Sequence, residues 1–385
     1  MGSHRVSRRQ PRRVAVLTGT RAEYGLLQSV MTAIAAEPRL KLQTVVTGIH
    51  LLPEFGRTAD VITRDGWRVD AQVPMQTGSD DPLDQAAGLA RGVAGIAAFL
   101  AQARTDIVLV LGDRIEAMAG ALAAVTTGRV LAHVHGGDVA PGDFDDSLRH
   151  AITKLAHVHF PATRRAARRL VRMGETPERV YVVGAPGLDR LRELLVEQPP
   201  RRSRAGHALV IFHASGRPPA VEERAMNTLL DAVAAAGLQR VIIYPNTDRG
   251  QSGVLRAIRR HERESERAAI TTHRSLPRDD FLRLLMSVDV LVGNSSSGVI
   301  EAPLAGTPSV TIGDRQAGRE PAGSSVICVA ESERAVRAGL RRALRLKVRR
   351  RGRSVYGDGQ AGPRIAQILA GLDDLAALAR KRIRY

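Results

Sequence analysis

The sequence predicts an α/β protein of two Rossmann-like domains with a cleft between them. Three observations carry this. Apolar, β-branched runs alternate with helical periodicity along the whole 385-residue chain, the pattern of parallel sheets covered by helices. A polar, proline-bearing run, Glu197-Gln198-Pro199-Pro200-Arg201-Arg202-Ser203-Arg204, separates two halves that repeat the same grammar. Residues suited to chemistry collect just after the strands, where ligands bind in such sheets.

In the first half, the β-branched and apolar runs Val14–Thr18, Leu42–Thr47, Ile107–Leu111, Val130–Val134, Val158–Phe160 and Val180–Val183 predict strands. Helical periodicity at Leu26–Ala36, Pro82–Ala103 and Ile115–Thr126 fills the gaps. In the second half the strands are Ala208–Phe212, Arg240–Tyr244, Ala269–Thr272, Val288–Val292 and Ser309–Ile312. Helices at Ala220–Ala235, Gly253–Glu264 and Arg278–Ser287 separate them. The chain is too long for one ordinary core. It divides into a basic tail at 1–13, a first domain at 14–196, a linker at 197–204, a second domain at 205–360 and a closing segment at 361–385. The last helix, Pro363–Arg382, is expected to pack back on the first domain.

Composition narrows the class. Hydrophobic residues make up 44% but aromatics only 3%, so the core is built from Ala, Val, Leu and Ile. Cys328 is the single cysteine, which excludes an internal disulfide and a cysteine-based metal cluster and suits a reducing cytoplasm. The apolar run Val14–Leu17 is too short for a signal sequence or a membrane span. The formal charge of +18 invites a nucleic-acid reading. Against it, the basic charge is nearly all arginine in scattered clusters, with four lysines and few aromatic platforms for bases. No specific nucleic acid and no membrane are expected as partners. An acidic small substrate gains from the field.

The most informative loop is Gly293-Asn294-Ser295-Ser296-Ser297-Gly298-Val299-Ile300-Glu301. A strand breaking into Gly, Asn and Ser before a helix offers backbone N–H groups, hydroxyls and a positive helix end to an anion. The plainer reading is a capped helix. Gly19-Thr20-Arg21-Ala22-Glu23-Tyr24-Gly25 follows the first strand and is neither a Walker loop nor a dinucleotide fingerprint. Arg21 there suits an anion. Asp113 and Arg114, after Gly112, are either a site or a local ion pair. His133 and His135 share a face if the strand runs through both, which places a polar histidine pair in the cleft; a metal site is the lesser reading. Asp145 or Asp146 reads as a helix cap, with Arg149 and Lys154 one to two turns on. Gly313-Asp314-Arg315-Gln316-Ala317-Gly318-Arg319-Glu320 lies beside the serine loop in a parallel sheet, and its arginines suit a diphosphate. Glu301 is placed to accept ribose hydroxyls, and His213 to point into the same cleft.

Together and in this order, GTRAEYG, the GDR at 112–114, DDSLRHAITKLAHVHF at 145–160, GNSSSGVIEAP at 293–303, GDRQAGRE at 313–320 and YGDG at 356–359 resemble the UDP-N-acetylglucosamine 2-epimerases. The resemblance spans roughly Val14 to Ala366 and is strongest to the hydrolysing branch, which makes N-acetylmannosamine for sialic-acid-type sugars. It implies a two-domain fold of the glycosyltransferase-B type, a UDP-linked 2-acetamido sugar as substrate, and no metal or nicotinamide cofactor. A cytoplasmic homo-oligomer, a dimer or tetramer, is expected.

By that resemblance, Arg21, Arg114, His213, Ser295, Ser296, Glu301 and Arg319 match positions binding UDP, and Asp113, Asp145 and Arg149 match positions around the sugar. Asp113, His135, Asp145 and His213 are the candidate catalytic residues. The family's first step eliminates UDP across C1–C2 to give a glycal. The hydrolysing branch then adds water and reprotonates C2 on the other face. Two departures stand out. The family often has Glu where His135 stands, and its His-Pro-x-Thr is His213-Ala214-Ser215-Gly216 here. The rival readings are a non-hydrolysing epimerase that re-adds UDP and a glycosyltransferase on the same fold.

Overall fold

A computed structural model describes residues 10–53, 56–78, 82–139, 144–197, 204–246, 248–264, 269–346, 348, 354–382 and 384. The tail up to residue 9, linker residues 198–203 and Asp143 lie outside them. The first half runs β1 (Arg12–Thr18), α1 (Arg21–Ala36), β2 (Leu40–Thr47), α2 (Ala59–Arg64), β3 (Ala71–Val73), α3 (Pro82–Gln102), β4 (Ile107–Leu111), α4 (Ile115–Thr126), β5 (Val130–Val134), α5 (Asp145–Leu155), β6 (Val158–Phe160), α6 (Arg164–Arg172) and α7 (Gly187–Glu197). The second runs β7 (Arg204–Ile211), α8 (Pro219–Ala235), β8 (Gln239–Ile243), α9 (Gln251–Glu264), β9 (Ile270–His273), α10 (Arg278–Ser287), β10 (Val288–Gly293), α11 (Ser297–Ile300), α12 (Ala302–Ala305), β11 (Ser309–Ile312), β12 (Val326–Val329), α13 (Glu333–Arg345), α14 (Ala361–Gly371) and α15 (Leu375–Leu378).

Each half forms a six-stranded sheet, β3-β2-β1-β4-β5-β6 in the first and β12-β11-β10-β7-β8-β9 in the second. All the strand pairs are parallel. The two sheets therefore share one topology. Strand order reverses between β1 and β4, and again between β7 and β10, the places where ligands bind in open α/β sheets. The loops after these four strands carry Gly19–Arg21, Asp113 and Arg114, His213, and the serine loop. The central strands are buried on both faces, as parallel strands between helical layers must be.

The halves exchange a helix. α14, late in the chain, buries Ile365 and Leu369 in the core formed by Val14, Val16, Leu27 and Met31 of the first half. Arg12 donates to the Leu369 and Ala370 carbonyls at 3.0 and 2.7 Å. α7 buries Leu188, Leu191 and Leu194 against Leu209 and Leu291 under the second sheet. Asp189 of α7 accepts from the Ala361 and Gly362 amides at 2.9 and 2.7 Å, satisfying orphan donors at the start of α14. Because α7 already belongs to the second core, the chain crosses between halves near Gly184–Gly187, ahead of the expected linker.

Four local expectations change. Val180–Val183 forms one bridge, His159 to Val180, rather than a strand. The expected helix Pro363–Arg382 is α14 plus a single turn, broken where Asp374 takes φ +36°. α1 begins at Arg21, with Thr20 as a cap whose hydroxyl accepts from the Glu23 amide. Phe144, not an aspartate, holds the cap position of α5, which makes Asp145 and Asp146 its first two residues.

Candidate active site

The cleft is built from strand ends. After β4, Gly112 takes φ +79°, its amide bonds the Val134 carbonyl at 3.0 Å, and Asp113 and Arg114 follow. Asp113 is ion-paired with Arg149, whose other terminal nitrogen donates to Asp146 at 2.6 Å and to the Asp138 carbonyl at 3.2 Å. The Arg149 side chain is 2% exposed. It is a buried fork fixing one carboxylate from β4 and another from α5.

His135 does not continue the strand. β5 ends at Val134, and His135 takes φ +64°, so the expected alternation with His133 does not apply. His133 is instead fully buried, with Nε2 donating to the Gly112 carbonyl at 2.8 Å, and burial pushes it down to about 3. His135 turns to Asp138, Nδ1 to Oδ2 at 3.1 Å. Asp138 also faces Arg319 Nε at 3.6 Å, across from the second half. Burial opposes the Asp138 charge, but the His135 hydrogen bond and the Arg319 and Arg169 guanidinia hold its pKa below the usual carboxylate range. The sequence offered Asp138 only as a neighbour of His133 and His135 in the lesser metal reading, not as the partner of His135. The available signal was the pair Gly136-Gly137, since Gly137 at φ +78° lets the chain fold back so that residue 138 meets residue 135.

Cations reach the cleft from both halves. Arg114 reaches across to Asp248 at 3.3 Å, and Arg315 approaches the same carboxylate at 3.7 Å. Asp145 lies near enough to Arg114 and Arg315 to favour their charged forms. Gln316 donates to the Asn294 carbonyl at 2.8 Å, and Arg319 donates to Gln316 at 2.6 Å, which ties the arginine loop to the serine loop. His213 is held by reciprocal 2.8 Å bonds between its backbone and the Asn294 side chain. Its Nδ1 accepts from the Asn246 amide at 3.2 Å, leaving Nε2 as the proton-bearing nitrogen. Burial and the nearby Arg315 and Arg114 push His213 down to about 4, so the ring is neutral at pH 7.

Beneath this lies Glu116, fully buried, accepting from Gln76 at 2.7 Å and from Arg114 at 3.3 Å. It aims Arg114 into the cleft. Glu23, beside it, accepts from the Gly19 amide at 2.7 Å; burial raises it to about 8, so it is mostly protonated at neutral pH. Neither these two carboxylates nor Asp248 was singled out from the sequence.

The structure thus gathers Asp113, Arg114, His135, Asp145, Arg149, His213 and Arg319 in one region. Ser295 and Ser296 join it through Asn294. The helix after them is a single turn, α11, so the expected dipole contribution is small and hydroxyls, amides and arginines carry the anion chemistry. Two further candidates have partners of their own. Arg21 donates to Ser275 at 2.7 Å and has Asp65 and Asp280 as its acidic neighbours. Glu301 is 3% exposed and paired with Arg278, which also donates to the Gly187 carbonyl at 2.7 Å. Among the described residues, no three His, Cys, Asp or Glu side chains are placed to hold a metal ion, and no helix is long and apolar enough to cross a membrane.

The family described as UDP-N-acetylglucosamine 2-epimerase matches residues 32–370 of this chain. The chain belongs to the UDP-N-acetylglucosamine 2-epimerase family. Among similar epimerases is the hydrolysing UDP-N,N'-diacetylbacillosamine 2-epimerase of Legionella pneumophila, 33% identical over 370 residues and covering 93% of this chain and 95% of the relative. The UDP-N-acetylglucosamine 2-epimerase of Neisseria meningitidis is 31% identical, covering 82% of this chain and 83% of its own. The crystal structure of the Methanocaldococcus jannaschii epimerase, solved with UDP-GlcNAc and UDP, superposes with a TM-score of 0.76 at 18% identity, over 93% of this chain and 99% of that one. The fold is accordingly the glycosyltransferase-B-like one expected of an epimerase in this family.

Proposed function

We propose that the protein is a hydrolysing 2-epimerase acting on a UDP-linked 2-acetamido sugar. The observation that carries this is the opposition, across one cleft, of Arg315 and Arg319 of the second half to the carboxylates Asp113, Asp138 and Asp145 of the first, with Arg114 beside those carboxylates reaching over to Asp248. The 33% identical hydrolysing relative supports the choice of branch.

The C2 proton is weakly acidic, so departure of the leaving group leads and charge develops on the diphosphate. Fixed guanidinia, the serine loop and the Nε2 proton of neutral His213 stabilise that charge without reorganising. A cleft carboxylate takes the C2 proton as the C1–O bond breaks, and UDP leaves with the electron pair. Water then adds its oxygen to C1 of the glycal, and a proton returns to C2 from the opposite face. The products are UDP and the free 2-epimer. His135 with Asp138 provides a second proton-handling group beside Asp113 and Asp145.

The test is UDP-GlcNAc, with UDP-N,N'-diacetylbacillosamine as a second substrate, incubated in D2O and followed by NMR. Free sugar inverted and deuterated at C2, with UDP, is expected. An inverted nucleotide sugar would assign the non-hydrolysing branch, and products without deuterium at C2 would sink both. Arg319→Ala is expected to weaken UDP binding by about 10- to 100-fold in calorimetry, the loss of one charge-assisted contact.

A further inference from the structure

A cavity of about 520 Å³ lies outside the cleft, beside the two places where the chain passes between halves. It is lined by Arg164, Arg165 and Arg168 of α6, by residues 182–184, by Ser354, Val355, Gly357 and Asp358, and by Arg364 and Glu320. We propose that this cavity is a second anion site, taking a phosphate-bearing small molecule.

Charge is the first ground. Arg364 and Asp358 satisfy each other through two bonds of 2.7 and 2.8 Å. Arg164, Arg165 and Arg168 form no ion pair among the described residues, and Glu320 is the one further carboxylate on the lining. The second ground is placement. These arginines occupy the first two turns of a nine-residue helix with no acidic residue in its first turn. Thr163 caps this end by accepting from the Ala166 amide, and the cations beyond it oppose the helix dipole, so an anion against them is favoured. The crowding is felt locally, since burial and the neighbouring Arg165 both lower the pKa of Arg169. The third ground is size: the volume falls within the range of small-molecule sites. A phosphoryl group, with more than one charge and three acceptor oxygens, matches several guanidinia better than a single carboxylate does.

The site is wired to the cleft from both sides. Arg169, on the same helix, donates to the Gly137 carbonyl in the turn between His135 and Asp138. Glu320 follows Arg319, and its carbonyl accepts from the Tyr356 hydroxyl at 2.7 Å. An occupant that draws α6 toward the Ser354–Asp358 segment therefore bears on both loops that face the substrate.

The experiment titrates the full-length protein with inorganic pyrophosphate by calorimetry. The wild type is expected to show two sites, one in the cleft and one here. Arg165→Glu with Arg168→Glu should remove one of them, or weaken it by about tenfold or more, while UDP still binds. Arg319→Ala should weaken only the other. A double reversal of equal charge on the exposed face of α13, Arg341→Glu with Arg342→Glu, should leave both. The proposal is overturned if the α6 variant keeps the wild-type isotherm, or if the α13 variant loses binding equally. Loss of UDP binding in the wild type would undermine the epimerase reading alone, since the α6 variant is read with pyrophosphate.

Discussion

Replacing Asp113 by Asn lowers kcat by about 100- to 10,000-fold, the range of a lost proton-transfer group, and leaves UDP affinity within about threefold. Asp113 stands just past β4 and is clamped by Arg149, on the opposite side of the cleft from the loops that carry Arg315 and Arg319. An amide fills the same space but neither accepts the C2 proton nor carries the charge that pairs with Arg149. Initial rates of UDP release give kcat, and calorimetry gives UDP affinity. Turnover near the wild-type level would remove Asp113 from the chemistry. A parallel loss of UDP affinity would mean the substitution disturbs the arginine cluster instead.

Arg149→Met has the largest expected effect on the folded state. The side chain is 2% exposed and holds Asp113, Asp146 and the Asp138 carbonyl together. Removing one partner of a buried pair typically costs about 3–5 kcal/mol, because the carboxylates left behind lose the Arg149 charge. Both carboxylates keep some access to water, at 23% and 31% exposure, which places the expectation toward the lower end of that range. Thermal melting measures it. Arg149→Lys should recover part of the stability but little of the activity, since an ammonium cannot reproduce the planar fork across two carboxylates. A lysine variant with full turnover would show that charge alone suffices at this position.

Much of the site was legible because glycine marks the ends of these strands. Gly19, Gly112, Gly293 and Gly313 each signal a turn out of an apolar run, and the polar residues after them sit at the sheet edge. What was not legible depends on partners remote in sequence. Arg114 and Asp248 are separated by 134 positions and meet only because the two sheets face each other. Asp138 needed the left-handed backbone at His135 and Gly137, which strand periodicity does not report. The sequence placed a carboxylate's work at His135, whereas the fold places an aspartate against that histidine. The short strands β3 and β12, three and four residues long, carry too few alternations to stand out from loops. The exchange of α7 and α14 was half visible: the return of the last helix was expected, but the departure of α7 was not.

That exchange governs how the cleft can move. The chain passes from one half to the other at Gly184–Gly187 and returns at Tyr356–Ala361, and the two passages touch, the Ala185 amide donating to the Tyr356 carbonyl at 2.7 Å. Two adjacent tethers behave as the two pins of a door. Such adjacent tethers are expected to hold the two halves together at this point while leaving the far side of the cleft freer to open. Arg319 and Asp138 face each other from the two halves at 3.6 Å, so a rotation of one half against the other about these tethers is expected to change that separation.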